Sequence, residues 1–146
     1  MVYDERTGMT VLDEDDCWTL LESADVVRIA MAVAGDVELF PINTVVDNRT
    51  LVFRTAEGTK LAAAAISGRV TVEADGTDRG GSEAWSVVLK GNAELLESFP
   101  DIYQAEELPL FPWHSGHKGR WVRIRPREVQ GRRFTTREHP RRSDPG

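Results

Sequence analysis

The run VVRIAMAV–AGD–VELFPINTVV–DNR–TLVFRT, residues 26–55, restricts the fold more than any other part of the chain. In its first piece Val27, Ile29, Met31 and Val33 fall on one side and Arg28, Ala30 and Ala32 on the other, the period of two that defines a half-buried strand. AGD and DNR are turn-length links. They allow the chain to double back but leave no room for the crossover a parallel pair requires. Three consecutive antiparallel strands follow. Pro41, inside the second, has no N–H for a ladder, which predicts an edge or a bulge at that point.

The rest of the chain fits the same plan. VLDEDDCWTLLESA, from Val11, reads as an amphipathic helix with acids crowding its first turn and Cys17, Leu20 and Leu21 on its apolar face. A further helix is expected after Thr55, stopping at Gly68. RVTVEAD and WSVVLKGNAELL alternate as strands, ESFPDIYQAEEL is helical after Pro100, and GRWVRIRPREVQGRRF supplies one or two strands broken by Pro126. Short helices interrupt the strands rather than alternate with them. This predicts a mostly β fold, an antiparallel barrel or sandwich with helices at its ends, and not a doubly wound sheet.

The 146 residues suit one domain with a solid core, here residues 1–134, followed by a disordered basic tail, residues 135–146, that lacks apolar periodicity. Cys17 is the single cysteine, so no internal disulfide forms; it reads as a small buried hydrophobe. The longest purely apolar piece is LAAAAI, residues 61–66, far short of a membrane span, and the N-terminus shows no signal-type apolar region. A cytoplasmic protein is expected. The net charge is −6, yet residues 118–146 hold ten Lys or Arg against three acids. Trp121, Val122 and Ile124 interrupt those cations in a strand-like rhythm, and an acidic body repels phosphate backbones, so nucleic acid is not an expected partner.

Chemistry concentrates in FRTAEGTKLAAAA, residues 53–65. Thr55 is placed to cap a helix beginning at Ala56, which leaves free backbone N–H groups around Glu57 to Thr59. Gly58 permits close approach, Thr59 adds a hydroxyl, and Arg54 and Lys60 bring positive charge. A cap alone accounts for Thr55 but not for two cations inside an acidic body; together these are the parts of a phosphate site. The spacing is not that of a Walker loop, and no GxGxxG is present. HSGH, with His114 and His117, has no third ligand nearby, DEDD reads as dipole complement, and no metal is expected. No Ser-His-Asp set or GxSxG elbow occurs. Trp18 and Trp121 read as core. With little acid–base machinery of its own, such a chain suits a cofactor that brings the chemistry.

These stretches resemble the FMN-binding split-barrel proteins of the pyridoxamine 5′-phosphate oxidase-like superfamily, among its small single-domain bacterial members. DEDDCWTLLESADVVRIAMAV, FPINTVVDNRTLVFRTAEGTKLAA and AWSVVLKGNAELL carry the likeness, with a weaker echo in WVRIRPREVQGRRF. The resemblance implies a six-stranded antiparallel split barrel with short helices and a homodimer with two flavin sites at the interface. It implies that Arg54, Thr55, Thr59 and Lys60 hold the FMN phosphate and that the backbone of Pro41, Ile42, Asn43 and Thr44 lies along the isoalloxazine and ribityl groups. The resemblance also implies that Ser86, beside Trp85, reaches the flavin from the partner subunit. EVQGRRFTTREH, with Arg132, Arg133 and His139, does not reproduce the C-terminal motif by which pyridoxamine phosphate oxidases grip their substrate, so vitamin B6 oxidation is not implied.

The expected function is an FMN-dependent oxidoreductase passing hydride or electrons to a small acceptor, with no catalytic residue assigned. A deazaflavin-dependent reductase, or a non-catalytic flavin- or heme-binding protein of the same fold, are the alternatives.

Overall fold

A computed structural model describes residues 2–56, 58, 59, 61–63, 68–110 and 119–136. The chain enters as a hairpin the alternation did not announce, β1 (Val2–Asp4) and β2 (Met9–Leu12). Helix α1 (Glu14–Ser23) follows. It begins later than its apolar pattern suggests, because Val11 and Leu12 are spent on β2 and pair with Arg132 and Gly131. The Asp13 carboxylate caps it by accepting from the Asp16 N–H, and Glu14, Asp15 and Asp16 occupy the first turn, where the dipole favours them.

The predicted meander forms β3 (Val26–Val33), β4 (Asp36–Asn43), β5 (Val45–Asp47) and β6 (Thr50–Thr55). Both tight turns use positive φ, Ala34 with Gly35 and Asn48 with Arg49. Arg49 is an unusual choice there; its guanidinium is tied to Asp15, and Glu14 lies 3.7 Å away, so the hairpin tip docks on the acidic start of α1. Strands β7 (Arg69–Thr77) and β8 (Glu83–Leu95), helix α2 (Phe99–Glu106) and strand β9 (Arg120–Thr135) complete the order. Ser98 caps α2 and Pro100 stands in its first turn.

Every pairing is antiparallel, in the order β1-β2-β9-β8-β7-β3-β4, with β6 on β9 and β5 on β6. Strands β3, β4, β6, β7, β8 and β9 form the wall of a six-stranded split barrel that stays open, since β4 approaches β6 without joining its ladder. Pro41 is accordingly on an edge strand. Pro126 does not break the last strand. Gly91 pairs with Pro126 while Lys90 pairs with Glu128, so Arg127 is the extra residue of a bulge and one continuous β9 spans the barrel.

The main core fills the barrel with Val27, Ile29, Phe53, Val72, Val87, Leu89, Val122 and Ile124, and α1 closes one side with Cys17, Trp18 and Leu21. A smaller cluster of Val52, Leu96, Ala105 and Trp121 lies beneath α2. Strand β9 ends at Thr135, and the Thr136 N–H still donates to the Ser82 carbonyl at 2.9 Å. The remainder of the expected tail, like His114, His117 and His139, lies outside the described residues.

Candidate functional site

The corner after β6 is built by its hydroxyls. Thr55, buried at the strand end, sets its Oγ1 3.2 Å from Thr59 Oγ1. Thr59, not Thr55, caps the helical turn at 61–63: its Oγ1 accepts from the Ala62 N–H at 3.1 Å and its carbonyl from the Ala63 N–H at 3.0 Å. The cap moves four residues on, past a turn at Gly58, which has φ +79° and nothing within 4 Å of where a side chain would stand. The result is a capped helix start with open space at Gly58, next to two hydroxyls. Lys60 and Glu57 are outside the described residues.

Arg54 leaves the strand on the opposite face from Thr55. Leu51 and Phe53 point into the main core, Val52 into the cluster beneath α2, and Arg54 follows Val52, its guanidinium 4.8 Å from the ring centroid of Trp121. A cation missed in the sequence stands on Thr55's side: Arg120 of β9 pairs directly across from Thr55. Only the β6–β9 register, a contact between strands 65 residues apart in numbering, reveals it.

The strand from Pro41 to Thr44 runs past this corner where β4 gives way to β5. Pro41 is exposed, and Ile42 is buried in the main core. Asn43 donates from Nδ2 to the Asp25 carbonyl at 3.0 Å, which anchors the strand's exit. Thr44 Oγ1 is shielded from solvent and has no hydrogen-bond partner among the described residues. An unsatisfied buried hydroxyl is unfavourable unless something outside the chain completes it.

Ser86 is elsewhere in the chain. It lies on β8 between Asp75 and Arg132, three strand steps from β4, or roughly 14 Å at the usual interstrand spacing. Trp85 points the other way, its ring closed over Gly76. One chain thus brings together Ile42–Thr44, Thr55 and Thr59, and leaves Ser86 apart.

On the outer face between these groups sits a cluster the sequence did not signal. Arg28 Nη1 reaches Glu73 Oε2 at 3.1 Å and Asp75 Oδ2 at 3.0 Å. Glu73 is pushed up to about 7, first by desolvation and then by its hydrogen bond and charge interaction with Asp75, with Arg28 opposing. Its Oε1 has no hydrogen-bond partner among the described residues.

Comparison with known proteins places this geometry in a family. A family model described as pyridoxamine 5′-phosphate oxidase matches residues 13–133. The Mycobacterium tuberculosis protein Rv3129 is 41% identical over 98 residues, 67% of this chain and 87% of its own length. A FAD-binding protein from Mycobacterium smegmatis is 42% identical, with 87% of this chain and 99% of that one covered at a TM-score of 0.76. A FAD-binding protein from Mesorhizobium loti, at 22% identity and a TM-score of 0.72, covers 88% of this chain and 98% of its own and shares the fold.

Proposed function

The chain belongs to the pyridoxamine 5′-phosphate oxidase family, and we propose that it is a flavin-dependent oxidoreductase whose two sites each draw on two copies of the chain. The observation that supports this reading is the convergence of the strand exit at Ile42–Thr44 with the Thr55–Thr59 corner, where a buried Thr44 hydroxyl has no partner among the described residues. That hydroxyl and the open capped turn fit a ribityl phosphate, and the exposed edge backbone of β4 fits a ring plane laid along it.

In this reading Thr55, Thr59, Lys60 and the amides opening the helical turn hold the phosphate, as helix N-termini do for anions. Arg54 and Arg120 add positive charge from the two faces of β6. Thr44 donates to the bound group, and Pro41 leaves the edge unencumbered. Ser86 stands apart within one chain, so Ser86 of a second copy is proposed to complete the site. The flavin supplies the hydride or electron transfer that no side chain here offers. FMN is the proposed form. FAD carries the same ribityl phosphate, and the FAD-binding protein that is 42% identical makes it the form to test beside FMN.

Oxidation of a vitamin B6 phosphate is not part of the proposal. Arg133 is engaged by Glu83 at 3.2 Å, and Arg132 lies exposed on β9 beside Ser86. The test has two stages. The purified protein should show a flavin absorbance spectrum, and the loaded protein should oxidise NADH or NADPH in the presence of a quinone or dye acceptor. A flavin-loaded protein inert to donors and acceptors alike would favour a carrier. A deazaflavin or heme spectrum in place of flavin would replace the cofactor assignment.

A further inference from the structure

On the outer face of β3, β7, β8 and β9 lies a groove of about 320 Å³, a volume in the range of small-molecule sites. Its floor is made of short side chains, Ala30, Ala32 and Thr71, and its rim carries Arg69, Lys90 and Arg127. The floor is small because these positions are the outward half of strands whose other half fills the core: along β3 the buried Ile29 and Met31 alternate with Ala30 and Ala32.

Arg28, Arg49, Arg123, Arg125 and Arg133 all pair with carboxylates, as expected in a chain of net charge −6. Arg69, Lys90 and Arg127 make no hydrogen bond or ion pair among the described residues. Arg6, Arg79 and Arg132 also lack a side-chain ion pair among the described residues, but none of them lines the groove, where three such cations gather around one hollow. Glu128 is the residue opposite Lys90 in the register, yet it accepts from Gln130 Nε2 at 2.6 Å instead. Three like charges around one hollow repel one another, and Glu128 is the carboxylate that the register sets beside them.

The third cation is brought there by a specific device. Arg127 is the bulged residue of β9, and a bulge re-aims a side chain that regular pairing would place elsewhere. The bulge is fixed on the facing strand by Gly91, where any Cβ would run into the Arg125 carbonyl oxygen.

We propose that this groove is a second binding site, for a small molecule bearing two or more phosphate or carboxylate groups, separate from the Thr55–Thr59 corner. Along β9, Arg127 is seven residues from Arg120, roughly 23 Å of strand, so one phosphate cannot serve both places. The anion's charged groups bridge the three cations and its remaining atoms rest on Ala30 and Ala32. With only three cations on an acidic body, a compact oligoanion fits and a nucleic-acid backbone does not. The proposal stands whether or not the corner holds a flavin.

Calorimetric titration of the full chain with tripolyphosphate at low ionic strength tests it. One equivalent per chain is expected, weakening as salt rises. The variant Arg69→Gln/Lys90→Gln/Arg127→Gln is expected to bind at least tenfold more weakly, Arg127→Gln alone several-fold, and Arg79→Gln, an exposed cation outside the groove, as the parent. Arg69, Lys90 and Arg127 are exposed side chains, and an unchanged thermal midpoint confirms that each variant folds. No heat of binding, equal affinity in the triple variant, or an equal loss of binding in Arg79→Gln would overturn the proposal. A triple variant that changes the oligomeric mass while the parent binds no tripolyphosphate would make the groove an interface between copies and overturn it too.

Discussion

The guanidinium of Arg54 lies over the Trp121 ring at 4.8 Å, which ties the end of β6 to the first turn of β9 and to the small core beneath α2. The contact joins the strand residue just before Thr55 to a buried ring. Arg54→Lys keeps the charge but loses the stack. The expected result is a loss of about 1 kcal/mol in urea stability, within the range of a half-buried cation–π pair, together with weaker FMN binding. Unchanged stability and affinity in Arg54→Ala would show that the contact holds nothing in place.

The hairpin that carries this corner is held beside its turn by Arg123. Its Nη1 donates to Asp47 Oδ2 at 2.9 Å and to Thr50 Oγ1 at 2.6 Å, and the side chain is only 11% exposed. Asp47→Ala leaves a largely buried guanidinium half satisfied. A loss of about 3 kcal/mol is expected, the low end for breaking a buried pair, because Asp47 itself is partly solvated. Replacing both residues, Asp47→Ala with Arg123→Met, is expected to recover part of it, measured by chemical denaturation.

Gly131 of β9 sits where a Cβ would stand 2.6 Å from Cys17 Sγ and 3.1 Å from Leu12 Cδ1. The barrel wall and α1 are therefore in contact at the limit of packing. Gly131→Ala is expected to destabilise by about 1–3 kcal/mol, and adding Cys17→Ala should relieve much of that. Additive effects of the two changes would mean the clash is absorbed elsewhere.

Glu73 gives the fold a pH dependence of definite sign. Its folded value of about 7 lies above the ordinary 4.5, so the native state binds the extra proton between the two. Stability from this group is present at low pH and is lost as pH rises from about 4.5 through 7. Glu73→Gln should remove that slope, so the variant gains on the parent as pH passes from 5 to 8. Parallel stability curves for parent and variant would show that Glu73 titrates normally.

Much of this was readable because it is local. Alternation in residues 26–55 marks the meander, Pro41 its edge, and Cys17 with Trp18 the buried face of α1. What escaped was long-range or marginal. β1 and β2 are three and four residues long and gain their stability from pairing with β9, not from pattern. Pro126 reads as a strand break until Gly91 on the facing strand converts it into a bulge. Thr55 and Thr59 are equally good caps on paper, and the turn at Gly58 decides between them. Arg120 beside Thr55 and Glu73 beside Arg28 depend on the register between distant strands, which composition does not encode.

The central claim is that the Thr55–Thr59 corner holds a flavin phosphate. The most direct measurement is titration of cofactor-stripped protein with FMN, FAD and riboflavin, in the parent and in Thr59→Val. FMN or FAD is expected to bind at least tenfold more tightly than riboflavin, with most of that preference lost in the variant. Equal binding of riboflavin and FMN, or a preference untouched by Thr59→Val, would contradict the claim.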